Sequence, residues 1–311
     1  MTATPIAEPG GAIGYSPLRR VAAKLVEGRT VPILAVVAVI IVVWYLGAIG
    51  MNWQTETDKL ARAGDYTTGQ AIAATWSSSR PVLPVPHQIV AELWRSIALV
   101  RPTSPRSLLF HAWVTLSSTL TGFVIGTALG VLIAIGIIHS RTLDKSLMPW
   151  IITSQTIPIL AIAPMIIVVL NAVGITGLLP KAIISTYLSF FPVTVGMVKG
   201  LRSPDRMHLD LMRTYSASRG QILAKLRAPA SLPFLFTSMK VAVAAALVGA
   251  IVGELPTGAV AGLGARLLAG SYYGQTVQIW SALVMAAFAA AVLVGLIALA
   301  ERFVLKRQGL A

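Results

Sequence analysis

The chain has 311 residues, of which 56% are hydrophobic and only 12% charged, and its mean hydropathy is +0.78. Soluble domains have roughly 45–50% apolar and about 25% charged residues, so this composition excludes an ordinary soluble protein and indicates a membrane protein. The net charge of +14 comes from basic residues placed between apolar runs, which favours a role in membrane topology over nucleic-acid binding. Without cysteines, disulfides and cysteine metal sites are excluded.

Six apolar runs are long enough to cross a hydrocarbon core, which takes about 20 residues per helix. They lie at 32–50, 108–138, 148–172, 181–198, 234–256 and 278–301. The first run is too long for the core of a signal peptide, and no small-residue cleavage site follows it, so we expect it to remain as an anchor. The expected fold is an all-α integral membrane protein with a six-helix transmembrane bundle.

The connections between these runs differ in charge. With the N-terminus inside, the inside segments hold 16 lysines and arginines in 85 positions and the outside segments hold 7 in 86. Because cytoplasmic loops are enriched in Lys and Arg, we expect both termini in the cytoplasm. The expected order begins with a cytoplasmic tail (1–31), a first transmembrane helix (32–50) and an extracytoplasmic segment (51–107). A five-helix core (108–304), which includes one cytoplasmic loop (199–233), and a second cytoplasmic tail (305–311) follow.

The extracytoplasmic segment contains an amphipathic pattern after its prolines. In PVLPVPHQIVAELWRSIALV, helical spacing puts five apolar side chains on one side: Ile89, Leu93, Trp94, Ile97 and Val100. We expect this helix to lie along the outer membrane face or against the bundle.

The second run carries small residues at a strict spacing of four: Ser118, Gly122, Gly126, Gly130 and Ala134. In lipid, a stripe of small residues allows two helix backbones to approach closely. We therefore interpret Gly122, Gly126 and Gly130 as helix-packing residues and not as a ligand site.

The third run, 148–172, is unusually polar for a segment in lipid. It contains Ser154, Gln155 and Thr156, then Pro158 and Pro164, and Asn171 at its far end. Polar groups in a bilayer need partners, and each proline frees a carbonyl from the helix, so this run either lines a solute path or bonds neighbouring helices. We favour a translocation path lined by Ser154, Gln155, Thr156 and Asn171, joined by Ser189 from the fourth run.

Titratable residues are sparse in the runs. Glu254 lies near the outer end of the fifth run, where we expect a structural or snorkelling role more than a functional one. The four histidines have no metal-ligand spacing, and neither a Ser-His-Asp grouping nor paired carboxylates occur. The sequence therefore predicts neither a metal site nor a catalytic site, and no cofactor.

The loop 199–233 has two helix-start signals. Ser203 can cap a helix that begins with Pro204 and Asp205 and runs to about Tyr215. Ser218 and Gln221 form a capping box for a second helix from about Arg219, expected to stop before Pro229. A solvated connector would explain the basic residues, but not two capped helices, so we predict a compact cytoplasmic hairpin.

This hairpin resembles the "EAA" loop of bacterial ABC importer permeases, whose pattern is E-A-A, three residues, Gly, nine residues and I-x-L-P. Asp210, Leu211 and Met212 take the first places, Ser216 takes the glycine place, and the I-x-L-P places fall on Leu226, Ala228 and Pro229. The segments VLPVPHQIVAELW, QTIPILAIAPMIIV, FFPVTVGMVKGL and VGELPTGAVAGLGARL are also similar to the nitrate, sulfonate and taurine branch of the family.

The resemblance implies the type I importer fold in a bacterial inner membrane and a permease coupled to a separate ATPase dimer. The implied ATPase-coupling residues are Asp210, Leu211, Met212, Ser216, Ala217, Leu226 and Pro229. It also implies a second permease subunit and an extracytoplasmic solute-binding protein. Two departures from the pattern affect this loop, since Asp210 is shorter than the family's Glu and Ser216 replaces a glycine that adopts a left-handed turn easily.

Two other classes of membrane protein are considered beside the importer permease. An ion-coupled secondary transporter would take up solute without an ATPase, and a structural membrane protein would transport nothing. The chain has no G-x-x-x-x-G-K-[ST] phosphate loop, so an ATP-driven mechanism requires the separate ATPase. The sequence does not name the solute, for which a sulfonate, nitrate or a vitamin precursor such as a pyrimidine would all be suitable.

Overall fold

A computed structural model describes residues 30–256 and 259–309, and every regular element in these ranges is helical. The predicted all-α class is thereby confirmed. The predicted tail 1–31 lies almost entirely outside the described residues, as do the last two residues of the tail 305–311. The chain forms two compact units, one ending at Pro86 and the other beginning at His87.

The first unit contains α1 (Thr30–Ala63) and α2 (Thr68–Ser77). Helix α1 continues 13 residues beyond the predicted end at residue 50, because helix-forming residues follow without proline until Gly64, whose φ of 140° ends the helix. Asn52 is buried and binds the segment that follows α2. Its amide oxygen accepts from Val82 N (2.7 Å), and its amide nitrogen donates to Leu83 O (2.9 Å).

The second unit contains nine helices in its described residues. They are α3 (Pro86–Trp94, extended by a π-helical turn, Arg95–Leu99), α4 (Leu108–His139), α5 (Arg141–Ser154), α6 (Ile159–Ala172), α7 (Leu178–Leu201), α8 (Arg206–Thr214), α9 (Arg219–Glu254), α10 (Leu263–Tyr272) and α11 (Thr276–Arg307). Five helices of the described chain, α1, α4, α7, α9 and α11, are long and apolar enough to cross a membrane. The pair α5 and α6 would make a sixth span if it counts as one.

The predicted third run is divided into two helices and is not one kinked helix. Helices α5 and α6 meet at an angle of 98° around residues 155–158. Pro158 lacks a backbone N–H and disfavours helical geometry at Ile157, so α5 does not continue beyond Ser154 into a regular helix and a new helix begins at Ile159. Pro149 and Pro164 lie inside the two helices without ending them.

Helix α7 packs closely against both α4 and α9. A Cβ on Gly122 of α4 would lie 2.6 Å from Ala182 O, and a Cβ on Gly249 of α9 would lie 2.8 Å from the Cα of Ser185. Since neither approach leaves room for a side chain, glycines on both neighbours allow the three backbones to pack closely. Apolar side chains fill the rest of this core: Phe123, Val193, Ala242, Val243, Ala246 and Leu293.

The amphipathic pattern of α3 is realised in part. Ile89 is buried, and Leu93 and Ile97 pack against the cluster around Leu108 and Leu263, as expected for a helix that lies against the bundle. Trp94, predicted on the same side, is 68% exposed. Trp94 follows Ile89 by five residues, which places it about 140° around an α-helix from Ile89, away from the packed side.

Candidate functional site

The predicted hairpin is formed by α8 and the start of α9. Its first helix begins at Arg206 and not after Ser203: Asp205 occupies the cap position, and the Ser203 hydroxyl donates to Gly200 O at 2.7 Å. The predicted capping box is confirmed, since Gln221 N donates to Ser218 Oγ (3.3 Å) and Ser218 N donates to Gln221 Oε1 (2.8 Å).

The second helix does not stop before Pro229. It passes through a π-helical turn, Leu223–Arg227, and continues to Glu254. A π-helical turn displaces the backbone bonds by one residue, so the missing N–H and the ring of Pro229 are accommodated where a regular helix would be broken. The hairpin and the fifth predicted run are therefore parts of one 36-residue helix.

The turn of the hairpin is a Schellman motif, with Ser216 N donating to Arg213 O (2.8 Å) and Ala217 N to Met212 O (2.9 Å). Ser216 takes the position where glycine is usual and has a φ of 54°, the only positive φ of a non-glycine residue in the described ranges. Ser216 thus adopts the left-handed conformation that glycine would have at this place of the EAA loop.

Ser216→Gly is expected to stabilise the hairpin by about 1 kcal/mol. The left-handed conformation costs a non-glycine residue roughly 1–2 kcal/mol, and the larger conformational entropy that glycine loses on folding offsets part of the gain. Hydrogen exchange of the Ala217 amide measures the effect and should slow down. The control Ser218→Ala removes the cap, costs about 1 kcal/mol and should speed up exchange in the start of α9. Faster exchange of Ala217 in Ser216→Gly would contradict the prediction.

No residue of α8 is buried. Met207, Leu211 and Tyr215 lie one helical turn apart and are 72%, 54% and 78% exposed. We call these three residues the exposed face of α8. Asp210 lies beside it and pairs with Arg213 at 3.0 Å.

Four other predicted coupling residues lie nearer the body of the bundle, whereas Ser216 is exposed. Met212, Ala217, Leu226 and Pro229 are half-buried. Only Leu211 of the predicted set therefore belongs to the exposed face, which also includes Met207 and Tyr215, two residues absent from the prediction. Their spacing of four residues was the available signal.

The predicted path residues are divided between three places. Ser154 and Gln155 are half-buried at the break between α5 and α6, and Thr156 is exposed there. The Tyr187 hydroxyl of α7 donates to the Ser154 carbonyl and ties the break to the core. Asn171 lies at the other end of α6, about 20 Å away along a helix of 14 residues.

Asn171 lines a cavity of about 580 Å³. Ser117, Lys181 and Trp113 also line it, so the cavity offers an amide, a hydroxyl, an ammonium group and an aromatic ring. Most of the other lining residues are apolar, and a few polar groups on an apolar wall are common in sites for small solutes.

Ser189 does not lie with the other path residues. Its side chain is fully buried between α7 and α4, and its hydroxyl contacts the carbonyls of Gly122 (3.3 Å) and Thr186 (3.2 Å). Of the two roles considered for such polar residues, Ser189 therefore has the second, since it bonds a neighbouring helix. We leave it out of the proposed path.

Glu254 is fully buried at the opposite end of α9 from the hairpin. Its carboxylate accepts from Thr115 Oγ1 of α4 (2.9 Å) and from Gly264 N of α10 (2.9 Å), and Lys181 Nζ lies 3.9 Å away. The expected structural role agrees with this geometry, whereas snorkelling does not, because no part of the side chain reaches the surface.

His111 and Thr115 extend this network, and the sequence analysis missed both. Gly262 N donates to His111 Nδ1 (3.0 Å), so Nε2 carries the proton and donates to Pro105 O (2.9 Å). Leu263 N donates to Thr115 Oγ1 (2.8 Å). We call Glu254, His111 and Thr115 the latch, because together they fasten the start of α10 to α4 and α9.

Outside the membrane-spanning helices, Arg266 of α10 is half-buried. Burial lowers the pKa of its guanidinium, and the nearby Glu92 carboxylate opposes this effect. The side chain stays charged, since arginine is not deprotonated in proteins.

Comparisons with known proteins agree with this architecture. The riboflavin transport system permease protein RibX of Chloroflexus aurantiacus is 31% identical over 225 residues, which cover 72% of this chain and 80% of RibX. The formylaminopyrimidine transport permease protein ThiX of Halalkalibacterium halodurans is 33% identical over 59% of this chain and 68% of its own. The putative aliphatic sulfonates transport permease protein SsuC of Bacillus subtilis is 25% identical over 76% and 82%.

Among solved structures, a chain of the MetNI methionine ABC transporter in inward-facing conformations shares the fold. Its TM-score is 0.50 at 21% identity, and the match covers 71% of this chain and 96% of that chain. Residues 126–308, which include α5 to α11, match the family described as "Binding-protein-dependent transport system inner membrane component". The chain therefore belongs to this family and is a multi-pass permease of the ABC importer type, a membrane subunit that is not itself the ATPase.

Proposed function

We propose that this chain forms the translocation path of an ATP-driven importer and binds its ATPase through the exposed face of α8. The observation that carries the proposal is the apolar stripe Met207, Leu211 and Tyr215 on a helix without any buried residue. The basic charge of the loop supports a cytoplasmic position for the hairpin. An exposed apolar face in water favours a protein partner, and an amphipathic helix commonly docks into a groove.

Helix α9 supplies a physical route from the ATPase to the far end of the bundle. It runs without a break for 36 residues, from the hairpin at Arg219 to the latch at Glu254. At 1.5 Å per residue it is about 54 Å long, and we infer that it moves as one body. A displacement of the hairpin on ATP binding would thus reach α7 and the latch as a rigid-body rotation, the usual form of such transitions.

The proposed path combines Ser154, Gln155 and Thr156 at the helix break with Asn171 in the cavity beside Lys181. In the same proposal, an extracytoplasmic binding protein delivers a small polar solute to the end that carries the latch. A second permease, either a copy of this chain or a related one, completes the path in the bacterial inner membrane. RibX, ThiX and SsuC, which are named for small solutes, support a solute of this size.

Leu211→Asp is expected to weaken ATPase binding roughly 100-fold, because burying an unpaired carboxylate in an apolar groove costs about 3 kcal/mol. ATP-driven uptake in proteoliposomes and co-purification of the separate ATPase subunit measure the effect. Ala224→Asp adds the same charge to an exposed position on the other arm of the hairpin and should leave both unchanged.

Two results would contradict the proposal. One is unchanged ATPase binding by the Leu211→Asp variant. The other is uptake by the wild-type chain that persists without an ATPase and stops when the ion gradient is dissipated, as in a secondary transporter.

A further inference from the structure

A cavity of about 830 Å³ lies between the hairpin and the turn that joins α4 to α5. Five arginines line it, from four different parts of the fold: Arg141, Arg202, Arg213, Arg219 and Arg227. Asp144 is the one acidic side chain among the described lining residues. The cavity therefore collects positive charge from segments far apart in the sequence.

Most of this charge has no acidic partner. Arg202 pairs with Asp144 at 2.7 Å, and Arg213 pairs with Asp210 outside the cavity. In the part of the chain that the structure describes, Arg141, Arg219 and Arg227 form no ion pair. Like charges around one hollow repel each other and raise the local concentration of anions.

The positive-inside rule does not account for this arrangement. It requires basic residues in the cytoplasmic loop, but it does not require them to converge. Arg206 and Lys225 belong to the same hairpin and do not line the cavity. Planar guanidinium groups match phosphate oxygens in pairs, so convergent arginines favour a phosphate group in particular.

Apart from His139, the remaining lining is apolar. Ile137 and Ile138 come from the end of α4, a membrane-spanning helix, and Ile222 and Leu223 come from the start of α9. The cavity thus combines an apolar wall at the end of a membrane helix with a basic rim. A molecule with a phosphate and a hydrocarbon part complements both, whereas a free phosphate ion would leave the apolar wall uncovered.

We propose that this cavity binds the phosphate headgroup of an anionic phospholipid, held by Arg141, Arg219 and Arg227. The bound headgroup bridges the hairpin and the α4–α5 turn and neutralises the repulsion between them. Leu209 and Arg213 of α8 line the cavity, whereas Met207 and Leu211 lie on the opposite side of the helix. Lipid and ATPase therefore use different sides of α8, and the lipid site does not depend on ATPase binding.

The test uses the full chain, purified in detergent and depleted of lipid, without the ATPase. Short-chain phosphatidylglycerol, phosphatidylcholine with the same acyl chains and inorganic phosphate are titrated separately at constant ionic strength. Phosphatidylglycerol is expected to raise the midpoint of thermal unfolding by about 5 °C at a hundredfold excess over its dissociation constant. The other two should have little effect.

Arg219→Gln/Arg227→Gln should lose most of this rise. The matched control Arg206→Gln/Lys225→Gln removes two charges from the same hairpin outside the cavity and should keep it. Arg219→Lys/Arg227→Lys retains the charge if the glutamine variant does not fold, and should bind more weakly than the wild type. Native mass spectrometry counts the bound lipid directly.

An equal response to phosphatidylcholine, or an equal loss in the control variant, would overturn the proposal. If inorganic phosphate raised the midpoint of thermal unfolding as much as phosphatidylglycerol does, the ligand of the cavity would be free phosphate and not a lipid. Neither result would bear on the ATPase, which is absent from the experiment.

Discussion

Glu254→Ala is expected to lower the free energy of unfolding by roughly 3–5 kcal/mol. The buried carboxylate is the acceptor for Gly264 N and for the Thr115 hydroxyl, and its loss leaves buried donors unsatisfied at about 1–3 kcal/mol each, together with an empty volume. Reversible denaturation in mixed micelles measures the loss. Hydrogen exchange of the Gly264 amide should rise at the same time, because this N–H loses its acceptor.

Two variants separate the latch from a general effect of charge. Glu254→Gln keeps the shape of the side chain and one carbonyl acceptor. Its free energy of unfolding should therefore fall by less than half as much as that of the alanine variant. Asp58→Ala removes an exposed acid and should change the stability by less than about 0.5 kcal/mol. A Glu254→Ala chain as stable as the Asp58→Ala chain would mean that the latch does not hold α10 in place.

Gly122→Ala is the second change with a large expected effect, a loss of about 2–4 kcal/mol. The new Cβ would lie 2.6 Å from Ala182 O and 3.0 Å from Thr186 N, and backbone atoms of α7 cannot move aside as a flexible side chain can. Helix α7 would have to shift away from α4 along the whole contact.

Gly136→Ala in the same helix provides the control with the opposite sign. Its Cβ would meet only Leu143 Cδ1, at 3.4 Å, so the substitution should be neutral or stabilise by up to about 1 kcal/mol through helix propensity. Chemical denaturation of both variants, with uptake measured in parallel, tests the pair. Equal stabilities for the two variants would show that the close approach of α4 and α7 is not required.

Local signals in the sequence were sufficient for much of the hairpin. The capping box of Ser218 and Gln221 is formed within four residues, and the left-handed turn at Ser216 is held by bonds to Met212 and Arg213. Such features depend on neighbours in the chain, so their spacing predicts them. The prediction was wrong at Pro229, where a π-helical turn lets the helix continue. This turn has no sequence signal as clear as a proline.

Contacts between distant residues were beyond local signals. Glu254 bonds Thr115 across 139 positions, and Lys181 bonds Ala261 across 80. Hydropathy marks Glu254, Thr115 and Lys181 only as polar groups near the ends of apolar runs. It does not tell a side chain that snorkels to water from one enclosed among three helices.

By itself, the sequence determined the helical class, the number of apolar segments and the position of the hairpin, because hydrophobicity and capping depend on solvent and on near neighbours. The tertiary structure decided three things: the 98° break within the third run, the separation of Ser189 from Asn171, and the convergence of five arginines on one cavity. These depend on which helices meet, and that is set by packing across the bundle, where small residues allow close approach.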